Sequence, residues 1–348
     1  MKLKDLYFDF PEDLIATEPQ RPSRVLYVGK GVKEITIETL LQQIPAGDVL
    51  VVNNTKVLKR RVFAGDLEIL FLSSTDKLTW EVLFPSRKFS LGDVIDLPLG
   101  YKMTLVQKGR PQLVKVDQPL EETYFSQIAE LPLPPYIQKM RKQRHAISAD
   151  ESWYQTAWAS QPGSFAAPTA SLHFSPQDIE GLKNRGVKVL ELTLHVGLGT
   201  FLPVTVEDLD QHQMHQEYVQ IPPQTWIAVQ EAKRKGYKIW SLGTTATRAL
   251  ESVAMDYLSG SSVTGYSGFS KLLIQPGFEW TVVDRLLTNF HQPESTLLAL
   301  VAGFAGLERL TKAYRFAIAN KFKLFSYGDL SVWEKEPEAL GKGTRNYC

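Results

Sequence analysis

Hydrophobic and polar residues alternate over short distances between about residues 62 and 116. Turn residues separate five such runs, which are LEILFL (67–72), TWEVLF (79–84), DVIDLPL (93–99), MTLVQ (103–107) and QLVKV (112–116). An alternation with period two indicates strands that are buried on one face. Because no helical period runs among them, the pattern predicts a small all-β module, either a barrel or a compact sandwich.

Beyond about residue 150, helical and strand-like patterns alternate. The predicted helices are 176–185, 223–235 and 244–258, and the predicted strands are 187–195 and 237–243. This order favours a mixed or parallel sheet with helices outside. The early run GDVLVVNNT (47–55) has the continuous hydrophobic pattern of a buried strand and belongs with this second region. We therefore predict a mixed α/β fold in which a small β-barrel domain (61–149) is inserted into a main domain formed by 1–60 and 150–348.

Composition narrows the class of protein. The chain has 348 residues, 43% hydrophobic and 22% charged, and a formal charge of +1, so the net charge indicates no partner. A single cysteine, Cys348, excludes an internal disulfide and a cysteine-based metal cluster. The longest apolar stretch, 296–307, is too short to span a bilayer, and acidic residues occupy the N-terminus where a signal peptide would be apolar. We expect a cytoplasmic monomer that binds neither a metal nor a membrane.

The segment PGSFAAPTASLHFS (162–175) combines small residues with two prolines and ends near His173. Such a composition suits either a disordered linker or a stiff loop whose backbone closely approaches another group. The regular helix predicted directly after it favours the loop. In that case Thr169 and Ser171 offer hydroxyl groups and His173 offers an acid or base.

Two further segments place polar groups at strand ends. In LTLHVGLGTFLPV (192–204), His195 ends an apolar strand and the following glycines allow close backbone approach, although a half-buried structural histidine is the more common meaning of this pattern alone. In SLGTTATRALES (241–252), Thr244 and Thr245 begin a helix whose N-terminus suits a carboxylate or phosphate, with Arg248 nearby. Ordinary N-capping by threonine is the alternative.

The segment LLTNFHQPESTLLALVAGFAG (286–306) places Asn289 and His291 before a helix that is apolar nearly all round. Such a helix is buried, so Ser295 and Thr296 at its start point into an interior or a cleft. His212 and His215 are spaced by three residues, but no third ligand accompanies them, and polar loop residues are the better interpretation.

Basic residues form clusters on both sides of the predicted β module. A solvated face is the usual meaning of such runs, but two clusters flanking a module also suit a phosphate backbone. The residues considered for nucleic-acid binding are Lys56, Arg60, Arg61, Lys139, Arg141, Lys142 and Arg144.

Seven segments together carry a resemblance to a known family. In chain order they are LPLPPYI, YQTAWASQPGSFAAPTASLHFS, LTLHVGLGTFLPV, MHQEY, GTTATRALES, LLTNFHQPESTLLALVAGFAG and FSYGD. With DFPEDLIATEPQRPSR and GDVLVVNNTKV near the start, the chain up to about Asp329 resembles the S-adenosylmethionine:tRNA ribosyltransferase-isomerases of queuosine biosynthesis. The resemblance implies an α/β barrel-like domain with an inserted β-barrel domain.

The implied reaction transfers the ribosyl moiety of S-adenosylmethionine, as a substrate, to 7-aminomethyl-7-deazaguanine at the tRNA wobble position. An epoxyqueuosine tRNA forms, and adenine and methionine leave. Because general acids and bases near neutrality are needed, we expect His173, His195 and His291 to be catalytic. The remaining substrate-binding candidates within the family motifs are Thr169, Ser171, Gly197, Gly199, Thr200, His215, Thr244, Thr245, Arg248, Asn289, Ser295 and Thr296.

Two positions depart from the family pattern. Ser171 stands where glycine is usual, and Asn54-Thr55-Lys56 stands where Asp-Thr-Arg is usual. Two alternatives therefore stay open. One is a catalytically impaired tRNA-binding paralogue, and the other is an enzyme that acts on a free deazaguanine nucleoside.

Overall fold

The computed structural model describes residues 1–197, 199 and 204–336. Within them the strands are β1 (Arg24–Val28), β2 (Val32–Thr36), β3 (Val49–Asn53), β4 (Thr55–Val57), β5 (Arg61–Ala64), β6 (Leu67–Ser74), β7 (Thr79–Leu83), β8 (Val94–Asp96), β9 (Lys102–Gln107), β10 (Gln112–Val116), β11 (Gln161–Ser164), β12 (Lys188–Leu194), β13 (Glu217–Ile221), β14 (Ile239–Leu242), β15 (Ser259–Ser261), β16 (Gly265–Ser270), β17 (Arg285–Asn289) and β18 (Leu330–Glu334). The α-helices are α1 (Ile37–Gln43), α2 (Glu122–Ile128), α3 (Pro135–Arg141), α4 (Asp150–Trp153), α5 (Pro176–Asn184), α6 (Pro223–Arg234), α7 (Thr244–Ala254), α8 (Thr296–Ala305) and α9 (Leu307–Ala319).

Ten strands form one mixed sheet in the order β15-β16-β13-β12-β3-β14-β17-β18-β1-β2. The four strands β12, β3, β14 and β17 are mutually parallel. Strand β13 runs antiparallel to β12, β18 runs antiparallel to β17, and β16 runs antiparallel to β13. The early strand β3 lies between β12 and β14, with Val51 opposite both Leu190 and Ser241. The prediction that this strand belongs with the second region is confirmed.

Strand β3 is buried along its whole length because both faces of the sheet are covered. Val49 and Val51 enter a core built with residues of α6, α7, α8 and α9, whereas Leu50 and Val52 enter a second core with residues of α1 and α5. A strand covered on both sides has no polar face, which explains its continuous run of hydrophobic residues. The mixed α/β class is confirmed.

The predicted helices after residue 150 are present with slightly shorter ends. Ser175 begins α5 with a capping box, in which its hydroxyl accepts from the N–H of Asp178 and the Asp178 carboxylate accepts from the N–H of Ser175. Helix α8 is buried from Leu298 to Ala305, as its apolar composition predicts.

The six strands β5 to β10 form a separate antiparallel sheet in the order β5-β6-β7-β10-β9-β8. Its core contains Phe71, Trp80 and Phe125, whose rings meet edge to face at 5.3 to 5.6 Å. The five predicted strands are confirmed. Residues after Val116 differ from the all-β expectation, because α2 packs Tyr124 and Phe125 into this core and α3 follows. The domain bounds at residues 61 and 149 stay a prediction.

Candidate active site

Four strand ends meet along one edge of the ten-stranded sheet. Because β12, β3, β14 and β17 are parallel, their carboxyl ends lie on the same side, and these ends lead into His195, Asn54, Gly243 and Phe290. The neighbouring strand β13 is antiparallel to β12, so its first residue, Glu217, lies at this edge too. Ligands of open α/β sheets bind at the carboxyl ends of the strands.

The proline-bounded segment 162–175 follows this edge. The imidazole of His195 lies directly over Gly163, where an added Cβ would be 2.6 Å from Nε2. The Ser164 hydroxyl accepts from the N–H of Val196 at 3.0 Å, and Ala170 packs against Gly243 before α7. The segment is therefore a close-approach loop, as predicted, and Gly163 is required by the imidazole that it contacts.

His195 lies half-buried at the end of β12. Its Nδ1 shares a hydrogen bond of 2.8 Å with the Thr55 hydroxyl, and its ring stacks on Tyr218 with 5.9 Å between centroids. Burial lowers the pKa of His195, so the neutral imidazole predominates at neutral pH. Among the described residues Nε2 has no hydrogen-bond partner, which leaves it able to exchange a proton with a ligand.

Asn53 connects three elements around His195. Its Oδ1 accepts from the N–H groups of Thr55 (3.1 Å) and Leu194 (3.0 Å), and its Nδ2 donates to the Thr245 hydroxyl at 3.2 Å. These bonds fix the ends of β3 and β12 and the start of α7 relative to one another. The sequence analysis missed Asn53 and Thr55 as site residues, although a polar Asn-Asn-Thr directly after a buried strand was a usable signal.

His173 and Asn289 meet at the other end of the loop. The Asn289 amide donates to Nε2 of His173 at 3.2 Å, so the ring proton lies on Nδ1 and is donated to the Ser23 hydroxyl at 2.7 Å. Ser23 in turn donates to the carbonyl of Gln20. Burial lowers the pKa of His173 to about 4. Because both ring nitrogens are engaged and the ring is neutral, His173 fits a positioning role better than the predicted proton transfer.

One ring nitrogen of His291 is engaged within the protein. Its Nε2 shares a hydrogen bond of 2.8 Å with the Thr288 hydroxyl, and its backbone N–H donates to the Tyr314 hydroxyl at 2.8 Å. Burial lowers its pKa to about 3. No described hydrogen bond joins it to His173 or His195, so the geometry does not unite the three predicted histidines in one group.

The first backbone N–H groups of α7 point out of the helix start and could bind an anion. Its N-cap is Gly243, and no side chain of the described residues caps the first amides. The hydroxyl of Thr244 is on a buried residue at this terminus. Arg248 was expected near a bound anion, but its guanidinium forms a buried ion pair of 2.7 Å with Glu217. The other carboxylate oxygen of Glu217 accepts from the Gly197 N–H, so Arg248 holds the carboxylate that binds this backbone group.

The other substrate-binding candidates lie in different surroundings. Ser295 is the N-cap of α8, because its hydroxyl accepts from the Leu298 N–H and donates to the Gln292 carbonyl. This capping engages the group that was expected to meet substrate. Ser171 is fully buried, and its Oγ has no hydrogen-bond partner among the described residues. The remaining candidates are Thr169 and Thr296, which are half-buried, Gly199, which packs against the exposed His215, and Thr200, which lies outside the described residues.

Three of the seven basic candidates are not available to phosphate. Arg60 pairs with Glu122, the side chain of Arg61 is 2% exposed and lies 2.7 Å from Glu68, and Arg141 makes two bonds to the buried Asp150. Their guanidinium groups hold the structure together, which corrects the sequence interpretation. The candidates with exposed side chains are Lys56, Lys139, Lys142 and Arg144.

Two searches covered only the residues that the structure describes. No helix there has the length and apolar composition needed to cross a membrane. In the same part of the chain, no three His, Cys, Asp or Glu side chains come together as a group that could hold a metal ion.

Comparison with known proteins identifies the family. A family model described as "Queuosine biosynthesis protein" matches residues 3–332. Proteins named S-adenosylmethionine:tRNA ribosyltransferase-isomerase are similar over 94% of this chain and 98% of their own length, at 38% identity in Desulfitobacterium hafniense and 40% in Carboxydothermus hydrogenoformans. A crystal structure of S-adenosylmethionine tRNA ribosyltransferase from Thermotoga maritima is 27% identical, with a TM-score of 0.54 over 94% of this chain and 99% of that one. The chain belongs to the queuosine biosynthesis protein family, as the sequence motifs predict.

Proposed function

We propose that His195 is the general base and acid of a ribosyl transfer carried out at the carboxyl edge of the sheet. As a member of its family, the chain transfers the ribosyl moiety of S-adenosylmethionine to 7-aminomethyl-7-deazaguanine at the tRNA wobble position, and adenine and methionine leave. The observation that supports His195 is its geometry. The Nε2 of His195 is unpartnered among the described residues, and the ring lies at the strand ends beside Asn53 and the start of α7. Both ring nitrogens of His173 are engaged, and burial lowers the pKa of His291 to about 3, which makes it a weak base.

The chemistry requires a neutral imidazole at the start of the reaction. The sulfonium of S-adenosylmethionine acidifies the adjacent ribose 5′ carbon, so a base can remove a proton from it. His195 is neutral at pH 7 because burial lowers its pKa, and its free Nε2 can accept that proton. The resulting imidazolium can return a proton to the departing adenine. Thr55 keeps the ring oriented through Nδ1 throughout.

The methionine carboxylate is proposed to bind at the start of α7. The helix dipole and the uncapped amides of Thr244 and Thr245 favour an anion there. Asn53 links Thr245 to the strand end beside His195, so an anion at this position would hold the sulfonium near the base. The phosphates of the tRNA are proposed to contact the exposed side chains of Lys56, Lys139, Lys142 and Arg144. A cytoplasmic location and a monomeric state stay predictions.

One assay tests this function. The protein is incubated with S-adenosylmethionine and tRNA that carries the aminomethyl-deazaguanine, and adenine release and the mass of the tRNA are measured. We expect adenine and a heavier tRNA from the wild type, and about a 100-fold or greater loss of rate in His195→Asn. His145→Gln is the matched control, because His145 is an exposed histidine that bonds Glu130 outside this edge. A wild-type rate in His195→Asn would refute the proposed role.

The two alternatives give different results in the same assay. An impaired paralogue binds the tRNA but releases no adenine, and a nucleoside-specific enzyme releases adenine with the free deazaguanine nucleoside as acceptor. The structure accounts for one of the departures that suggested impairment. Asn54 donates to the Glu191 carboxylate at 3.0 Å and accepts from the Thr193 hydroxyl at 2.7 Å, so an amide suits its neighbours here.

A further inference from the structure

Three aromatic rings form a row across neighbouring strands, beginning at His195. Tyr218 on β13 stacks on His195 with an interplanar angle of 22°. Phe269 on β16 is directly opposite Tyr218 in the strand register, and their rings meet edge to face at 5.6 Å. The row thus connects the proposed base with the outer part of the sheet.

The outer end of this row is open to solvent. Phe269 is 59% exposed, an unusual state for a phenylalanine within a paired strand. On the same side of β16 and β13, Ser267 and Gln220 are exposed and polar, so Phe269 does not belong to a wide apolar patch. Lys271 is exposed two residues further along the chain.

An exposed ring beside a cation and polar side chains suits a nucleotide in RNA. Single-stranded RNA bases stack on aromatic side chains, and the adjacent phosphate is attracted to a lysine. We propose that Phe269, supported by Tyr218, is a stacking platform for a nucleotide that neighbours the wobble base of the tRNA. This inference rests on the proposed function, because it assumes that the wobble base reaches His195.

The position of Phe269 favours RNA over the adenine of S-adenosylmethionine. Two strand spacings separate it from His195, roughly 10 Å along the sheet. A small substrate at His195 would meet Tyr218 first, whereas a loop of RNA that delivers one base to His195 extends its neighbours over the surface. A wobble base must leave the stack of the anticodon loop to be modified, and this exposes a neighbouring base for stacking.

The test compares RNA affinity and kinetics in variants of Phe269. An anticodon stem-loop RNA with 2-aminopurine next to the wobble position reports stacking by its fluorescence, and anisotropy gives its Kd without turnover. We expect Phe269→Ala and Phe269→Leu to raise Kd and the KM for tRNA by about tenfold, and Phe269→Trp to retain the wild-type values. The KM for S-adenosylmethionine and kcat should not change.

Tyr237→Ala is the matched control, because Tyr237 is a 41% exposed aromatic residue just before β14. It lies at the amino ends of the parallel strands, away from the carboxyl ends that carry His195. Circular dichroism checks that each variant is folded. Wild-type Kd and unchanged 2-aminopurine fluorescence in Phe269→Ala would overturn the proposal, as would a rise confined to the KM for S-adenosylmethionine. Because Kd and fluorescence need no turnover, they test the platform even if the wild type releases no adenine.

Discussion

A methyl group at position 163 would collide with the His195 imidazole. An ideal Cβ on Gly163 would lie 2.6 Å from Nε2 and 2.7 Å from two ring carbons. Since unstrained contacts between such atoms need about 3.5 Å or more, the ring must move by about 1 Å. A shift of this size moves Nε2 and strains the 2.8 Å bond between Nδ1 and Thr55. Because a misplacement of about 1 Å can cost about 100-fold in rate, we expect Gly163→Ala to slow adenine release by that factor.

Single-turnover adenine release at saturating S-adenosylmethionine and tRNA measures this effect. The matched control is Gly181→Ala within α5, where an added Cβ has no atom within 4 Å. The control should keep the wild-type rate and gain up to about 1 kcal/mol of stability, since alanine is the better helix former. Thermal unfolding of both variants separates a displaced ring from a damaged fold.

A double-mutant cycle decides whether the ring carries the effect. If Gly163→Ala acts through His195, then it should cause almost no further loss in a His195→Asn enzyme, which has no imidazole to displace. An equal 100-fold loss in both backgrounds would show that position 163 acts on another group. A wild-type rate in the single variant would refute the steric argument itself.

Three further predictions concern stability. Unfolded histidine has a pKa near 6.5, whereas burial lowers the pKa of folded His173 to about 4, so the unfolded chain binds the proton first as pH drops from 6.5 to 4. The melting temperature should therefore fall in this range, and less steeply in His173→Asn. Equal slopes in the two proteins would contradict this. Asn54→Asp places a second carboxylate against Glu191 and should lower the free energy of unfolding in urea by about 1 kcal/mol. Adding Glu191→Gln should restore the stability. A double variant as unstable as Asn54→Asp would count against the pairing. Arg61→Ala should cost about 3 kcal/mol, because it removes a buried guanidinium that bonds Glu68 and Glu130, whereas the exposed Lys142→Ala should cost under about 0.5 kcal/mol. Similar costs in urea unfolding would reject the distinction.

The strands and helices around the site were predictable because each carries its own local pattern. Strand β3 shows a continuous apolar run, and α5 shows its capping serine, proline and amphipathic period. The polar residues at strand ends followed from the same patterns, and this located His195 and Thr244. The family motifs then supplied the reaction, which no single motif specifies.

The state of each basic or imidazole side chain was not predictable, because it depends on partners that are distant in the chain. Arg61 and Lys142 belong to similar runs of positive charge, but Arg61 meets Glu130 within the fold and Lys142 stays exposed. His173 ends a loop of small residues and His195 ends an apolar strand, and neither pattern shows which ring nitrogens are engaged. Only the meeting of His173 with Ser23 and Asn289 shows that its ring nitrogens are engaged.

The parallel pairing of β1 with β18 sets the order in which the chain can be assembled during synthesis. The Arg24 N–H donates to the Asp329 carboxylate at 2.9 Å across a separation of 305 residues. A ribosome adding about 5 to 20 residues each second needs roughly 15 to 60 s to supply that partner. Among the described strands, β5 to β10 form a sheet with one another, so they can fold before β18 is available to β1. Ser23 lies just before β1 and bonds His173, so we expect this part of the candidate site to be completed only after β18, the last described strand, has left the ribosome.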